Sequence, residues 1–267
     1  MRARLPDESG YVVNAGVRIH YEVHGTGEPT ILLMPTWAIV DSRHWKMQVP
    51  FLARDYRVIT FDPRGNGRSD RPKDPAAYAD SAFASDVRAV LDVTSTERAL
   101  LAAFCSGFPW ALLFAAAHPQ RAAGIIAISP TLPIPPSDPW ERDGHSFDEV
   151  LDTTEGWAKE NRHYWRRDWR GYVEFFMSQI ATESHSTKVY DDLVECAVDL
   201  LAHRTGPCPA GPGHRPGRPE TGAGPGDPLV GAATGDRRAG RRRGDHPPGQ
   251  LRAGLRVGAL GIASGGP

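Results

Sequence analysis

The chain has 267 residues, with 31 Lys and Arg against 32 Asp and Glu and a formal net charge of -1. That length can bury a large core, and that balance excludes a general attraction for nucleic acid or anionic lipid. The three cysteines, Cys105, Cys196 and Cys208, are too few and too scattered for a disulfide framework or a metal site, and no apolar run is long enough to span a membrane.

The N-terminal residues Met1 to Glu8 contain no apolar signal region, so a cytoplasmic location is expected. Val17, Ile19, Tyr21 and Val23 alternate with Arg18, His20 and Glu22, which predicts a half-buried strand. Tyr11 to Val13 can pair with it across Asn14-Ala15-Gly16. Thr30 to Met34 reads as a continuous apolar strand, and the loop after it opens with Pro35-Thr36-Trp37. A helix is expected over His44 to Arg54, kinked or ended early by Pro50. Arg57 to Phe61 is a second buried strand, followed by the glycine-rich loop Asp62 to Asp70. Phe83, Val87, Val90 and Leu91 recur at helical spacing, so Tyr78 to Val93 is helical.

The next stretch organises the rest. Ala99 to Phe104 is a short apolar run suited to the middle of a parallel sheet, and an apolar helix is expected from Ser106 to His118, ended by Pro119. Cys105 sits at the junction, the shape of a nucleophile elbow in which a reactive side chain is held on a strained strand-to-helix turn. Such a turn needs small residues two before and two after the nucleophile. Ala103 and Gly107 provide them around Cys105, whereas centring the turn on Ser106 would place Phe104 and Phe108 there. A buried structural cysteine is the competing account of Cys105. Gly124 to Ser129 is the following strand, and strands alternating with helices predict a mostly parallel α/β sheet.

The order of hairpin, Ile31 to Trp37, Phe61-Asp62-Pro63-Arg64-Gly65-Asn66-Gly67-Arg68-Ser69-Asp70, the Cys105 elbow, His118-Pro119 and Ile125 to Ile128 resembles the α/β-hydrolase superfamily over residues 11 to 135. Two positions depart from its usual pattern. The family commonly has Ser in a Gly-x-Ser-x-Gly elbow, where this chain has Ala103-Phe104-Cys105-Ser106-Gly107. It commonly has His-Gly after its third strand, where Pro35-Thr36 stand here. The resemblance implies an α/β core over residues 1–135, a helical cap over 136–202, and hydrolysis of a small ester, thioester or lactone. It also implies an oxyanion hole formed by the backbone N–H groups of Ser106 and of a residue after the third strand, for which Trp37 is the candidate because Pro35 has no N–H. A helix N-terminus favours the thiolate, the nucleophilic form of Cys105. Asp62, Arg64 and Gly65 read as structural, and Gly65-x-Gly67 is no nucleotide fingerprint, because it does not lead from a first strand directly into a helix. No cofactor and no metal are expected, and the partner expected is a small-molecule substrate.

Thr131 to Pro139 forms a proline-rich exit from the core. Trp157 to Phe176 interleaves aromatic and Arg residues, a pattern also found in nucleic-acid binders, but without a basic excess elsewhere it reads as cap helices lining a pocket. Tyr190 to Leu201 is a further helix. His163 and His185 read as surface or hydrogen-bonded residues.

From His203 the character changes. Residues 203–267 contain no Phe, Tyr, Trp or Lys, carry ten Arg against four acidic residues, and are punctuated throughout by Gly and Pro. Such a segment is expected to be disordered, adding no helix or strand to the body. The family's last strands, catalytic acid and histidine belong here, and neither His214 nor His246 has suitable surroundings. A shifted reading frame accounts for this: read one nucleotide later, Gly206 to Gly217 can spell a proline-led apolar strand ending in Gly and Asp. A native basic tail is the other account. The chain is therefore expected to be either a cysteine hydrolase whose C-terminal part is lost or frame-shifted, or a non-catalytic small-molecule-binding or degenerate member of the same fold.

Overall fold

The computed structural model describes residues 4–37, 39–131, 147–202 and 257–259. The chain divides into two units, Met1–His214 with Arg256–Pro267, and Arg215–Leu255, the second lying outside the described residues. The first unit is built on strands β1 (Glu8–Asn14), β2 (Val17–His24), β3 (Ile31–Leu33), β4 (Val58–Phe61), β5 (Ala99–Phe104), β6 (Ala122–Ile128) and β7 (Val257–Ala259). They form one sheet in the order β1-β2-β4-β3-β5-β6-β7. The β1-β2 and β2-β4 pairs are antiparallel and the rest parallel. This is the mostly parallel α/β sheet expected, and β5, the strand before Cys105, has the bounds read from its apolar run.

Helices α1 (Gln48–Leu52), α2 (Asp80–Val93), α3 (Gly107–Ala117), α4 (Arg162–Arg167), α5 (Trp169–Ile180) and α6 (Lys188–Ala202) complete the described elements, with 3-10 turns at Ser42–Trp45, Pro75–Tyr78 and Gly156–Lys159. Helices α2 and α3 bury Phe83, Val87, Leu91, Phe108 and Phe114 in the larger core cluster, where Phe83 stacks on Trp110 at 4.0 Å. A smaller cluster gathers Ile31, Leu33, Val58 and Ala102 with Trp45 and Val49. Apolar surface is thus buried on both faces of the central strands, which is why those strands are continuous hydrophobic runs.

Three expectations are corrected. Strand β2 is not half-buried: His20, Glu22 and His24 are buried along with its apolar residues. The backbone N–H of His20 donates to Ser69 Oγ at 2.9 Å, and the two imidazoles lie near carboxylates, His20 Nδ1 3.5 Å from Asp62 and His24 Nε2 3.6 Å from Glu22. The helix read over His44 to Arg54 is broken at Lys46–Met47, and Pro50 stands inside the first turn of α1, where its missing N–H costs no helical bond. The tail does contribute a strand. Val257–Ala259 pairs in parallel with Ile125–Ala127, satisfying backbone groups on the outer side of β6. The rest of residues 203–267, and so the expectation of disorder there, lies outside the described residues.

Candidate active site

Parallel strands deliver their C-terminal ends to one edge of the sheet, and β5 lies centrally in it. The chain leaves β5 through Cys105 at φ +51°, a left-handed conformation uncommon for any residue with a Cβ. Ser106 is already right-handed helical, and α3 follows at once. The strain therefore falls on Cys105, the residue on which the small-neighbour argument had centred the turn. The contacts revise part of that argument. Ala103 is fully buried, as expected, but the neighbour that crowds Gly107 is the carbonyl oxygen of Pro35, which a Cβ at 107 would strike. The loop after β3 thus lies directly against the first turn of α3.

The Cys105 peptide is held on both sides. Its N–H donates to the Ile128 carbonyl at 3.0 Å, and its own carbonyl accepts from the Phe108 and Thr131 N–H groups, both at 3.2 Å. The sulfur lies 3.4 Å from Thr131 Oγ1 and 3.8 Å from Ser106 Oγ. Among the described residues no imidazole or carboxylate reaches hydrogen-bond distance of the sulfur. Helix α3 has no side-chain cap, so its first turn presents peptide dipoles toward the elbow.

Trp37, the other predicted oxyanion-hole residue, follows β3 and forms an isolated bridge with Val40, whose N–H donates to the Trp37 carbonyl at 3.0 Å. Its ring is buried against Phe176 of α5 at 4.7 Å. The helical segment thereby touches the loop that runs beside the elbow. Further aromatic contacts, Trp165 with Tyr172 at 4.5 Å and Trp165 with Trp169 at 5.2 Å, hold α4 and α5 together.

The glycine-rich loop fixes this loop from below. Burial alone would raise the Asp62 carboxyl, but His20, the Arg68 N–H and Ser42 outweigh it and hold the group below the usual carboxylate range. Ser42 donates to Asp62 through its N–H at 3.0 Å and its hydroxyl at 2.6 Å, and the Arg68 N–H donates at 2.9 Å. Arg64 makes a buried two-point pair with Asp86, at 2.8 and 2.6 Å. These contacts fit the structural role read for Asp62 and Arg64.

The remaining candidates are separated by chemistry. Cys196 is buried on α6, and burial pushes its thiol up to about 12, so it is a poor nucleophile at neutral pH. His163 lies 3.1 Å from the Asp148 carbonyl, and His185 is exposed. His214, His246 and Cys208 lie outside the described residues. Sequence reading passed over Thr131 as part of a proline-rich exit. The available signal was topological: β5 and β6 are adjacent and parallel, so the residue emerging from β6 lands beside the one emerging from β5.

A family model for the alpha/beta hydrolase fold matches residues 25–164, and the chain belongs to that family. Epoxide hydrolase B of Mycobacterium tuberculosis is 41% identical over 86 residues, covering 32% of this chain and 24% of its own. The 2-hydroxymuconate semialdehyde hydrolase of Pseudomonas sp. is 30% identical over 127 residues, covering 45% of this chain and 43% of its own. The chain thus spans less than half the length of these curated relatives. The solved structure of Est816, an N-acyl homoserine lactone degrading enzyme, superposes with a TM-score of 0.54 at 24% identity, over 72% of this chain and 65% of that one, a likeness of fold. Among the described residues no helix is long and apolar enough to cross a membrane, and no cluster of metal-binding side chains occurs.

Proposed function

We propose that this chain derives from a hydrolase of small esters, thioesters or lactones in which Cys105 is the nucleophile. The observation that carries the reading is the left-handed backbone of Cys105 at the strand-to-helix junction, at the C-terminal edge of the sheet. In the proposed step the Cys105 thiolate, its proton released to solvent, attacks the substrate carbonyl carbon. The carbonyl electron pair moves to oxygen, where the Ser106 and Trp37 N–H groups stabilise it. Its return expels the alkoxide or thiolate leaving group, which takes a proton from water, and the acyl group remains on sulfur. Helices α4 to α6 act as the cap, and their aromatic side chains supply apolar surface for the acyl or alcohol part.

Hydrolysis of the acyl-enzyme requires a base to activate water. We assign that base and its acid partner to the sequence encoded after His203 in the shifted frame, so the chain as written is acylated and turns over very slowly. A non-catalytic binding role is the second reading, favoured by the absence of any imidazole at hydrogen-bond distance of Cys105 among the described residues. Sequencing the gene around the His203 codon and expressing the restored frame tests both. Restored turnover that Cys105→Ala abolishes supports the first. A restored protein that leaves activated esters intact supports the second, and one inactivated by Ser106→Ala but not by Cys105→Ala overturns the choice of nucleophile.

A further inference from the structure

We propose that Thr131 is a positioning residue that holds the Cys105 sulfur from the neighbouring strand end, an inference resting on the reading of Cys105 as nucleophile. Strands β5 and β6 run in parallel to the register pair Phe104–Ile128, so the two chains leave the sheet side by side. After β6 the backbone turns through Ser129, at φ +42°, and this brings Thr131 back over the elbow. There Thr131 meets Cys105 twice: its N–H donates to the Cys105 carbonyl at 3.2 Å, and its hydroxyl oxygen lies 3.4 Å from the sulfur. Together with the Cys105 N–H to Ile128 bond at 3.0 Å, these contacts fix the strained peptide at both ends and the side chain at its tip.

A nucleophile on a single-bonded arm can occupy three staggered rotamers, and only one aims it at a substrate carbonyl. Thr131 selects among them. Its χ1 is stiff because it is β-branched, and its backbone is anchored to the residue it serves, so its hydroxyl is a preplaced donor. A hydroxyl hydrogen bond to sulfur strengthens when the sulfur carries charge, which favours the aimed thiolate over competing rotamers. Ser106 Oγ is the farther of the two hydroxyls, at 3.8 Å. Thr131 is exposed, so removing its hydroxyl leaves no buried polar group of its own without a partner.

The test is the rate of carbamidomethylation of Cys105 by iodoacetamide at neutral pH in the full chain, followed by peptide mass spectrometry with Cys208 as internal reference. Thr131→Val keeps the shape and removes the O–H, Thr131→Ala removes both, and Thr131→Ser keeps the O–H. The expected result is a loss on the order of tenfold in the Cys105 rate for Thr131→Val and Thr131→Ala, and near-parental reactivity for Thr131→Ser. Equal rates in all four proteins, or equal losses in Ser and Val, would overturn the role of the hydroxyl. If Cys105 in the parent reacts no faster than Cys208, the nucleophile reading itself fails, a result distinct from either of these.

Discussion

At the scale of single residues the elbow rests on one close approach. A Cβ at position 107 would strike the Pro35 carbonyl, a backbone atom that cannot rotate out of the way. Gly107→Ala is expected to cost about 1–3 kcal/mol, the range for overpacking a tight contact, and to slow acylation of Cys105 by displacing the first turn of α3 from the Pro35–Trp37 loop. Urea unfolding reads the first effect and p-nitrophenol release the second; an unchanged variant would contradict the contact. His44 offers a pH signature. Its Nε2 is shut from solvent and its Nδ1 bonds the Asp41 carbonyl at 2.8 Å although the residue is only half-buried, and burial lowers its pKa to about 4. The folded value lies below the ordinary value of 6.5, so the neutral ring is the form the fold accepts. Its contribution is complete above about pH 6.5 and is lost as pH falls from there through about 4, by up to roughly 3 kcal/mol. Unfolding free energies measured between pH 7 and 4 should fall less steeply in His44→Leu than in the parent, and parallel curves would sink the assignment.

At the scale of elements, the glycine-rich loop, α2 and β1 are tied by one buried network. Arg64 pairs with Asp86, donates to the Ala77 carbonyl at 2.6 Å, and shares Asp86 with Asn14 Nδ2 at 2.7 Å. Asp86→Ala leaves the guanidinium buried without its anion and should cost about 3–5 kcal/mol, whereas Arg64→Met with Asp86→Leu should cost clearly less. Denaturant midpoints of the two variants decide it, and equal losses would contradict the argument. Elements whose residues answer to burial alone were legible in the sequence. Ala99–Phe104 is apolar throughout because sheet neighbours and both core clusters surround it, so its bounds could be read directly. Strand β2 was misread because alternation measures polarity rather than exposure: His20 is buried against groups on Asp62 and Ser69, the latter 49 residues away, which cannot be inferred from local pattern. The short strand β7 was equally hidden, since Val257-Gly258-Ala259 carries no strand pattern and answers to the edge of β6.

At the scale of the whole molecule, apolar side chains remain outside the core. Leu112 and Leu113 on α3, and Met47 and Phe51 beside and within α1, are exposed. Such residues favour association, and the chain is expected to sediment as species larger than a monomer; Leu112→Lys with Leu113→Gln should raise the soluble yield, and a monodisperse parent would contradict this. The candidate site was legible as far as one strand, one turn and the first residues of one helix carry it, because Cys105, Ser106 and Gly107 are contiguous. Thr131 was not, since its place beside Cys105 exists only once β6 pairs with β5. The central claim, that Cys105 is the nucleophile, is tested most directly by incubating the full chain with p-nitrophenyl acetate, quenching, and mapping the acetyl group by peptide mass spectrometry. The account predicts one acetyl group per chain on Cys105, lost in Cys105→Ala and retained in Ser106→Ala. Acetylation of Ser106, or an acetyl group that persists in Cys105→Ala, would contradict it.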